Sequence, residues 1–150
     1  MKTNLTIALL TFASGILFAA DPPIFELRSV AEAPTSTTKP YSPPQRDGTA
    51  ETLNLESGVL LDHMAVKSAA VSNDFQGKRV ILIKLTDAGS KRFGEITKRY
   101  VSKRLGIVIA GKLLVAPVVM EPIYNGAVQM SGDFTEKEAS DLAAKLNKKP

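Results

Sequence analysis

The stretch RLGIVIAGKLLVAPVV, residues 104–119, most constrains the fold of this chain, because so many consecutive apolar side chains must be buried. A helix needs about 20 apolar residues to span a bilayer. This stretch is only sixteen residues long, and it contains a lysine and a proline. Gly111 stands where two short strands would need a tight reversal. We therefore predict a β-hairpin that pairs LGIVIA with KLLVAPVV and turns at Ala110–Gly111.

The residues before the hairpin predict a strand and an amphipathic helix. KRVILIKLT, residues 78–86, is rich in β-branched side chains and alternates between two faces. Thr86 or Asp87 would cap the helix. Apolar residues recur at helical spacing on its predicted core side, at Phe93, Ile96 and Tyr100. Its other side is basic apart from Glu95, with Lys91, Arg92, Lys98, Arg99 and Lys103.

A second helix is predicted over FTEKEASDLAAKLN, near the end of the chain. Thr135 followed by Glu138 forms a capping box. One apolar stripe runs along this helix through Ala139, Leu142, Ala143 and Leu146. Shorter strands are predicted at Ile24–Val30, Leu53–Leu55 and in AVQMSG, where Val128 and Met130 share a face, while residues 58–72 are expected to hold a short helix and a strand.

This order of elements favours an α+β fold. One antiparallel or mixed sheet with two helices on one face would bury both apolar stripes at once. We therefore expect a ferredoxin-like arrangement.

The N-terminus has the layout of a secretory signal peptide. A lysine in MKTN precedes an apolar stretch of fourteen residues, and AAD then offers small residues for cleavage, so residues 1–20 are the predicted signal. An uncleaved anchor is the alternative. We expect cleavage and a periplasmic or secreted product with a strand over residues 21–30, a flexible loop rich in Pro, Thr and Ser over residues 31–50, and an α+β domain over residues 51–150.

Composition argues against several classes of function. Without residues 1–20 the side chains carry a charge of about +3, which is mild for a nucleic-acid-binding protein, so no nucleic-acid partner is expected. The chain has no cysteine and one histidine, which leaves no ligand set for a transition metal, and no cofactor is expected. His63 lies beside Asp62 and near Ser57, but no nucleophile-elbow pattern surrounds this serine. We predict that the protein is not an enzyme.

Two segments carry a resemblance to a known family. LTDAGSKRFGEITKRYVSKRLGIVIAGKLLVAPVVMEPI, residues 85–123, and QMSGDFTEKEASDLAAKL, residues 129–146, resemble the head subdomain of the first periplasmic domain of SecD, a subunit of the bacterial protein-export machinery. FELRSV resembles the strand that precedes this head. The family usually has glycine where Ser102 stands, aspartate where Ala110 stands and serine where Val115 stands. SecD also has transmembrane helices and intramembrane acidic residues that are not found here, so the resemblance implies a freestanding secreted head and not the proton-driven motor.

The resemblance implies a non-enzymatic module outside the cytoplasm that contacts exported or unfolded polypeptide or a translocon subunit. At a sheet edge, KLLVAPVV could add an extended polypeptide as an extra strand, with Pro117 protecting that edge from self-association. The basic helix face could dock on an anionic membrane surface or an acidic partner. The residues predicted to bind a partner are Lys91, Lys98, Arg99, Lys103, Lys112, Leu114 and Pro117.

Three alternatives remain open at this point. The hairpin could be an ordinary core element, and the basic face could simply be solvated. The chain could also be an independent periplasmic adaptor or inhibitor-like domain that binds a folded envelope partner, because a shared fold does not fix function.

Overall fold

The computed structural model describes residues 23–44 and 51–148, so the predicted signal peptide lies outside the described residues. Its helices are α1 (Asp87–Arg99) and α2 (Glu136–Leu146), and a 3₁₀ turn covers His63–Ala65. The strands are β1 (Phe25–Ala31), β2 (Thr38–Tyr41), β3 (Leu53–Glu56), β4 (Leu61–Asp62), β5 (Val66–Asn73), β6 (Arg79–Leu85), β7 (Leu105–Ile109), β8 (Lys112–Val115) and β9 (Ala127–Ser131).

The strands form two antiparallel sheets. One has the order β2-β3-β1-β7-β8, with β4 paired to β1, and the other has the order β5-β6-β9. This confirms the α+β class and corrects the expectation of a single ferredoxin-like sheet. After β6 the chain runs through α1 and enters β7, which pairs with β1 instead of joining the sheet of β6.

Helix α1 forms where the sequence places it. The Thr86 hydroxyl accepts a hydrogen bond from the Gly89 N–H (3.1 Å), which satisfies one of the free donors of the first turn. Phe93 and Ile96 are buried and Tyr100 is half-buried, which confirms the predicted inner face. The helix packs against the 3₁₀ turn, β4 and β6.

Helix α2 begins with the predicted capping box: Glu138 N–H donates to the Thr135 hydroxyl, and the Glu138 carboxylate accepts from Thr135 N–H (2.9 Å). At the other end, the Asn147 amide bonds both the N–H and the C=O of Ala69, each at 2.8 Å. These two bonds hold the end of α2 on β5.

One hydrophobic core joins both helices to both sheets. Ile81 and Ile83 of β6 meet Ile107 of β7 within it, together with Phe93 of α1 and Leu146 of α2. The predicted hairpin and the two predicted helices therefore share one core.

A smaller cluster lies on the other face of the hairpin. Buried residues of β3, β7 and β8 form it, namely Leu53, Leu55, Val108 and Leu113. Tyr41 of β2 packs against this cluster. The flexible loop predicted over residues 31–50 thus contains a strand at Thr38–Tyr41, because Tyr41 reaches an apolar surface that composition alone does not reveal.

The hairpin turn confirms the predicted reversal. Ile109 pairs with Lys112, and the two residues between them, Ala110 and Gly111, have φ angles of 49° and 76°. Two consecutive positive φ angles characterise a type I′ turn, in which asparagine, aspartate and glycine are favoured. Ser102 also has a positive φ, 65°. Ser102 and Ala110 therefore both lie in the left-handed region, where a Cβ is unfavourable.

Replacing Ala110 with asparagine is expected to stabilise the protein. Asparagine tolerates a positive φ better than alanine, so Ala110→Asn should raise the free energy of unfolding by about 0.5–1 kcal/mol in urea titrations. Ala144→Asn, on the exposed side of α2, is the matched control and should lower it by a few tenths of a kcal/mol. Equal destabilisation by both changes would contradict the strained turn.

Candidate functional site

The three polar residues considered for catalysis do not converge. The Ser57 hydroxyl donates to the carbonyl of Thr37, and the Asp62 carboxylate accepts from Met64 N–H (3.0 Å) at the start of the 3₁₀ turn. His63 Nε2 lies 2.6 Å from the carbonyl oxygen of Lys148. Each side chain therefore holds a local turn or joins two elements. In residues 23–44 and 51–148, no cluster of three or more potential metal ligands was found.

An open apolar groove of about 710 Å³ lies between β8 and β9 and reaches the core at Phe93 and Leu105. One wall is the segment 115–121, which continues from β8, and the other is β9. Its apolar lining includes Val115, Val119, Met120, Ile123 and Val128. Both β8 and β9 are the last strands of their sheets, so the groove opens between two sheet edges.

The first edge is formed by the chain that follows β8. Pro117 C=O accepts from Leu105 N–H (3.1 Å), and Val119 N–H donates to Lys103 C=O (2.9 Å). Because backbone groups alternate in direction along an extended chain, those of Val118 point the other way. Among the described residues, none hydrogen-bonds the N–H or C=O of Val118. Val118 therefore offers, at the groove, a donor and an acceptor that no described residue uses.

The second edge is β9. Gly126 C=O accepts from Leu85 N–H (2.8 Å), so Gly126 faces β6. By the antiparallel alternation, the backbone groups of Ala127, Gln129 and Ser131 point away from β6. These three residues line the groove.

The role predicted for Pro117 is corrected by this geometry. Its carbonyl points towards Leu105, so its nitrogen also faces that neighbouring strand and not the free edge. Pro43 also lines the groove, and Pro44 lies beyond it near Lys112 and Leu114. Since a proline has no N–H, Pro43 and Pro44 cannot donate to the hairpin edge.

The residues predicted to bind a partner fall into three places. Pro117 lines the groove, whereas Lys112 and Leu114 lie on the other side of the hairpin, beside α2. The predicted cations of α1 and of the turn after it are all exposed: Lys91, Lys98, Arg99 and Lys103. None of these four takes part in an ion pair with another described residue.

The sequence analysis predicted the strand β9 but not that it forms a wall of the groove. The alternation of Val128 and Met130 could have indicated which residues of β9 are exposed. It could not have indicated that β9 lies at a sheet edge opposite the hairpin, because that depends on pairing between distant segments.

Comparison with known proteins identifies the family. Residues 38–149 match the family model described as SecDF, P1 head subdomain. The chain belongs to this family. The match confirms the resemblance carried by residues 85–123 and 129–146.

Curated relatives of this P1 head are much longer proteins. Protein translocase subunit SecD of Rickettsia bellii is 39% identical over 94 residues, which are 63% of this chain and 18% of that protein. The SecD subunit of Calditerrivibrio nitroreducens is 41% identical over 85 residues, 57% of this chain and 16% of that protein. The chain therefore matches less than a fifth of the length of either relative.

Solved structures share the fold. SecDF in its super-membrane-facing form aligns with a TM-score of 0.68 and 24% identity, over 84% of this chain and 19% of that one. A structure described as a membrane component SecDF that enhances protein export aligns with a TM-score of 0.65 and 23% identity, over 84% of this chain and 62% of that one. In the described part of the present chain, neither helix is long and apolar enough to cross a membrane.

Proposed function

We propose that this P1 head is a non-enzymatic module of protein export, placed in the periplasm, that holds exported polypeptide in extended form in the groove between β8 and β9. The family membership supports a role in export, because the curated relatives are protein translocase subunits and one structural neighbour is described as enhancing export. The observation that carries the proposal is the pair of sheet edges that flank one apolar groove.

Strand addition suits a partner of variable sequence. An extended chain in the groove would pair its backbone with Val118 on one side or with Gln129 and Ser131 on the other. Its apolar side chains would lie against Val119, Ile123 and Val128. Because the hydrogen bonds involve only the partner's main chain, many sequences could bind, as a protein-export component requires.

Val118→Asp is expected to weaken the binding of unfolded polypeptide by about tenfold or more. The valine is 48% exposed, so the change should spare the fold, whereas the new carboxylate would put a charge at the edge where the partner's main chain pairs. Fluorescence anisotropy with a labelled, reduced and carboxymethylated polypeptide, which stays unfolded, measures the affinity.

Val71→Asp is the matched control. Val71 is 38% exposed on β5, the strand at the other edge of the sheet that contains β9. Its replacement by aspartate should leave the affinity for unfolded polypeptide unchanged. Equal loss in both variants, or no binding by the unchanged protein, would contradict the proposal. Binding of a folded envelope protein in its place would favour the adaptor alternative.

A further inference from the structure

Exposed apolar side chains concentrate at one corner of the molecule. Eight large hydrophobic side chains are exposed among the described residues, and half of them belong to the turn after α1 and to the segment 118–124: Val101, Val118, Met120 and Tyr124. Met120 is 81% exposed and Tyr124 is 61% exposed. We call these four residues the apolar corner.

Backbone and side-chain contacts fix the apolar corner on α1. Ser102 N–H donates to Val119 C=O (2.8 Å), and Ile123 N–H donates to the Thr97 hydroxyl (2.9 Å). The Tyr124 ring lies against Gly94, where a Cβ atom would approach ring carbon Cδ1 to 2.5 Å. Glycine at position 94 therefore lets the tyrosine lie directly on the helix backbone.

Cations of α1 lie on the helix face that Tyr124 of the apolar corner covers. Lys91 and Lys98 stand three residues before and four residues after Gly94, so they share the helix face on which Tyr124 lies. Arg99 follows, and Lys103 Nζ lies 6.0 Å from the centroid of the Tyr100 ring. The carboxylates of the same region are Asp87, Glu95 and Glu121, and Arg92 adds a fifth cation.

We propose that the apolar corner and its cations form a docking surface for an anionic lipid bilayer. Met120 and Tyr124 would enter the interfacial layer, where tyrosine is favoured, and Lys91, Lys98 and Arg99 would contact lipid phosphates. A bilayer explains the combination better than an acidic protein does, because charge pairing alone would not require exposed apolar side chains between the cations. This proposal does not depend on polypeptide binding in the groove.

The absence of tryptophan from the sequence permits a direct test. Met120→Trp places a single indole in the apolar corner, and its emission should shift to shorter wavelength with vesicles containing phosphatidylglycerol but not with phosphatidylcholine vesicles. Phe75→Trp, at a position 96% exposed in the β5–β6 turn, should shift with neither. An equal shift at both positions, or no shift at position 120, would overturn the proposal.

A charge-matched pair of variants tests the cations. Lys98→Glu/Arg99→Glu should lower the partition coefficient on anionic vesicles by about tenfold or more, since each cation near such a surface contributes several-fold. Lys67→Glu/Lys78→Glu makes the same change in net charge at exposed positions outside α1 and should have a smaller effect. Equal losses in the two double variants would overturn the proposal, as would binding of polyglutamate without binding of vesicles.

The affinity for unfolded polypeptide should be unchanged in Lys98→Glu/Arg99→Glu. The lipid proposal and the groove proposal can therefore fail separately.

Discussion

Ile96→Asp is expected to abolish the cooperative thermal unfolding of the protein. Ile96 is 9% exposed on the inner face of α1 and belongs to the core shared by both helices and both sheets. Burying an ionised carboxylate without a partner costs several kcal/mol, which is comparable with the whole stability of a domain of this size. Circular dichroism during heating, in which a folded protein shows a sigmoidal transition, measures the effect.

Lys98→Asp is the control for this prediction. Lys98 lies two residues further along the same helix on its exposed face, so the same new side chain should change the melting temperature little. If Ile96→Asp melted cooperatively at the temperature of the unchanged protein, the packing of α1 described above would be wrong.

Arg28→Met is expected to lower the free energy of unfolding by about 3 kcal/mol. Arg28 Nε and Nη2 donate to the Glu26 carboxylate at 3.0 and 2.8 Å, and Nη1 donates to the carbonyl of Glu56 at 3.0 Å. Glu26 is only 4% exposed in the middle of the larger sheet. The hydrogen bond from the guanidinium to the Glu26 carboxylate raises the pKa of Arg28. Removing the arginine would leave a buried charge without its partner.

A double-mutant cycle separates this pair from simple loss of packing. Glu26→Gln/Arg28→Met removes both charges, so it should be less destabilised than the sum of the two single changes. Urea unfolding of the four proteins gives the coupling energy. Additive effects would show that the two charges do not depend on each other.

Local chemistry made part of the fold predictable. Thr86 and the Thr135–Glu138 capping box start the helices where the sequence indicates, because caps act within one turn of their own residue. Gly111 likewise indicates the hairpin turn, and the alternation around Ile81 and Ile83 indicates β6.

Pairing between distant segments was not predictable in the same way. The apolar sequence of β7 indicates a strand, but it does not indicate that this strand pairs with β1. One sheet was therefore expected where two exist. Tyr41 lies in a segment whose composition favours a loop, and only its contact with the second cluster explains β2. The groove depends on the first of these corrections, because it lies between the edges of two separate sheets.

The orientation of the hairpin edge was beyond the sequence for a different reason. An irregularity in the β7–β8 register between Ile107 and Val108 changes which residues face outward further along the chain. The Pro117 backbone consequently faces the neighbouring strand, and the Val118 backbone groups point outward, where no described residue bonds them.

Residue-resolved amide hydrogen exchange, with and without saturating unfolded polypeptide, tests the groove most directly. We predict slower exchange of the Val118, Gln129 and Ser131 amides when polypeptide is bound, because these N–H groups face the groove from its two edges. The amides of β5 and of the outer face of α1 should be unaffected. Unchanged exchange at all three groove positions, or slowing confined to β5 or α1, would contradict strand addition in the groove.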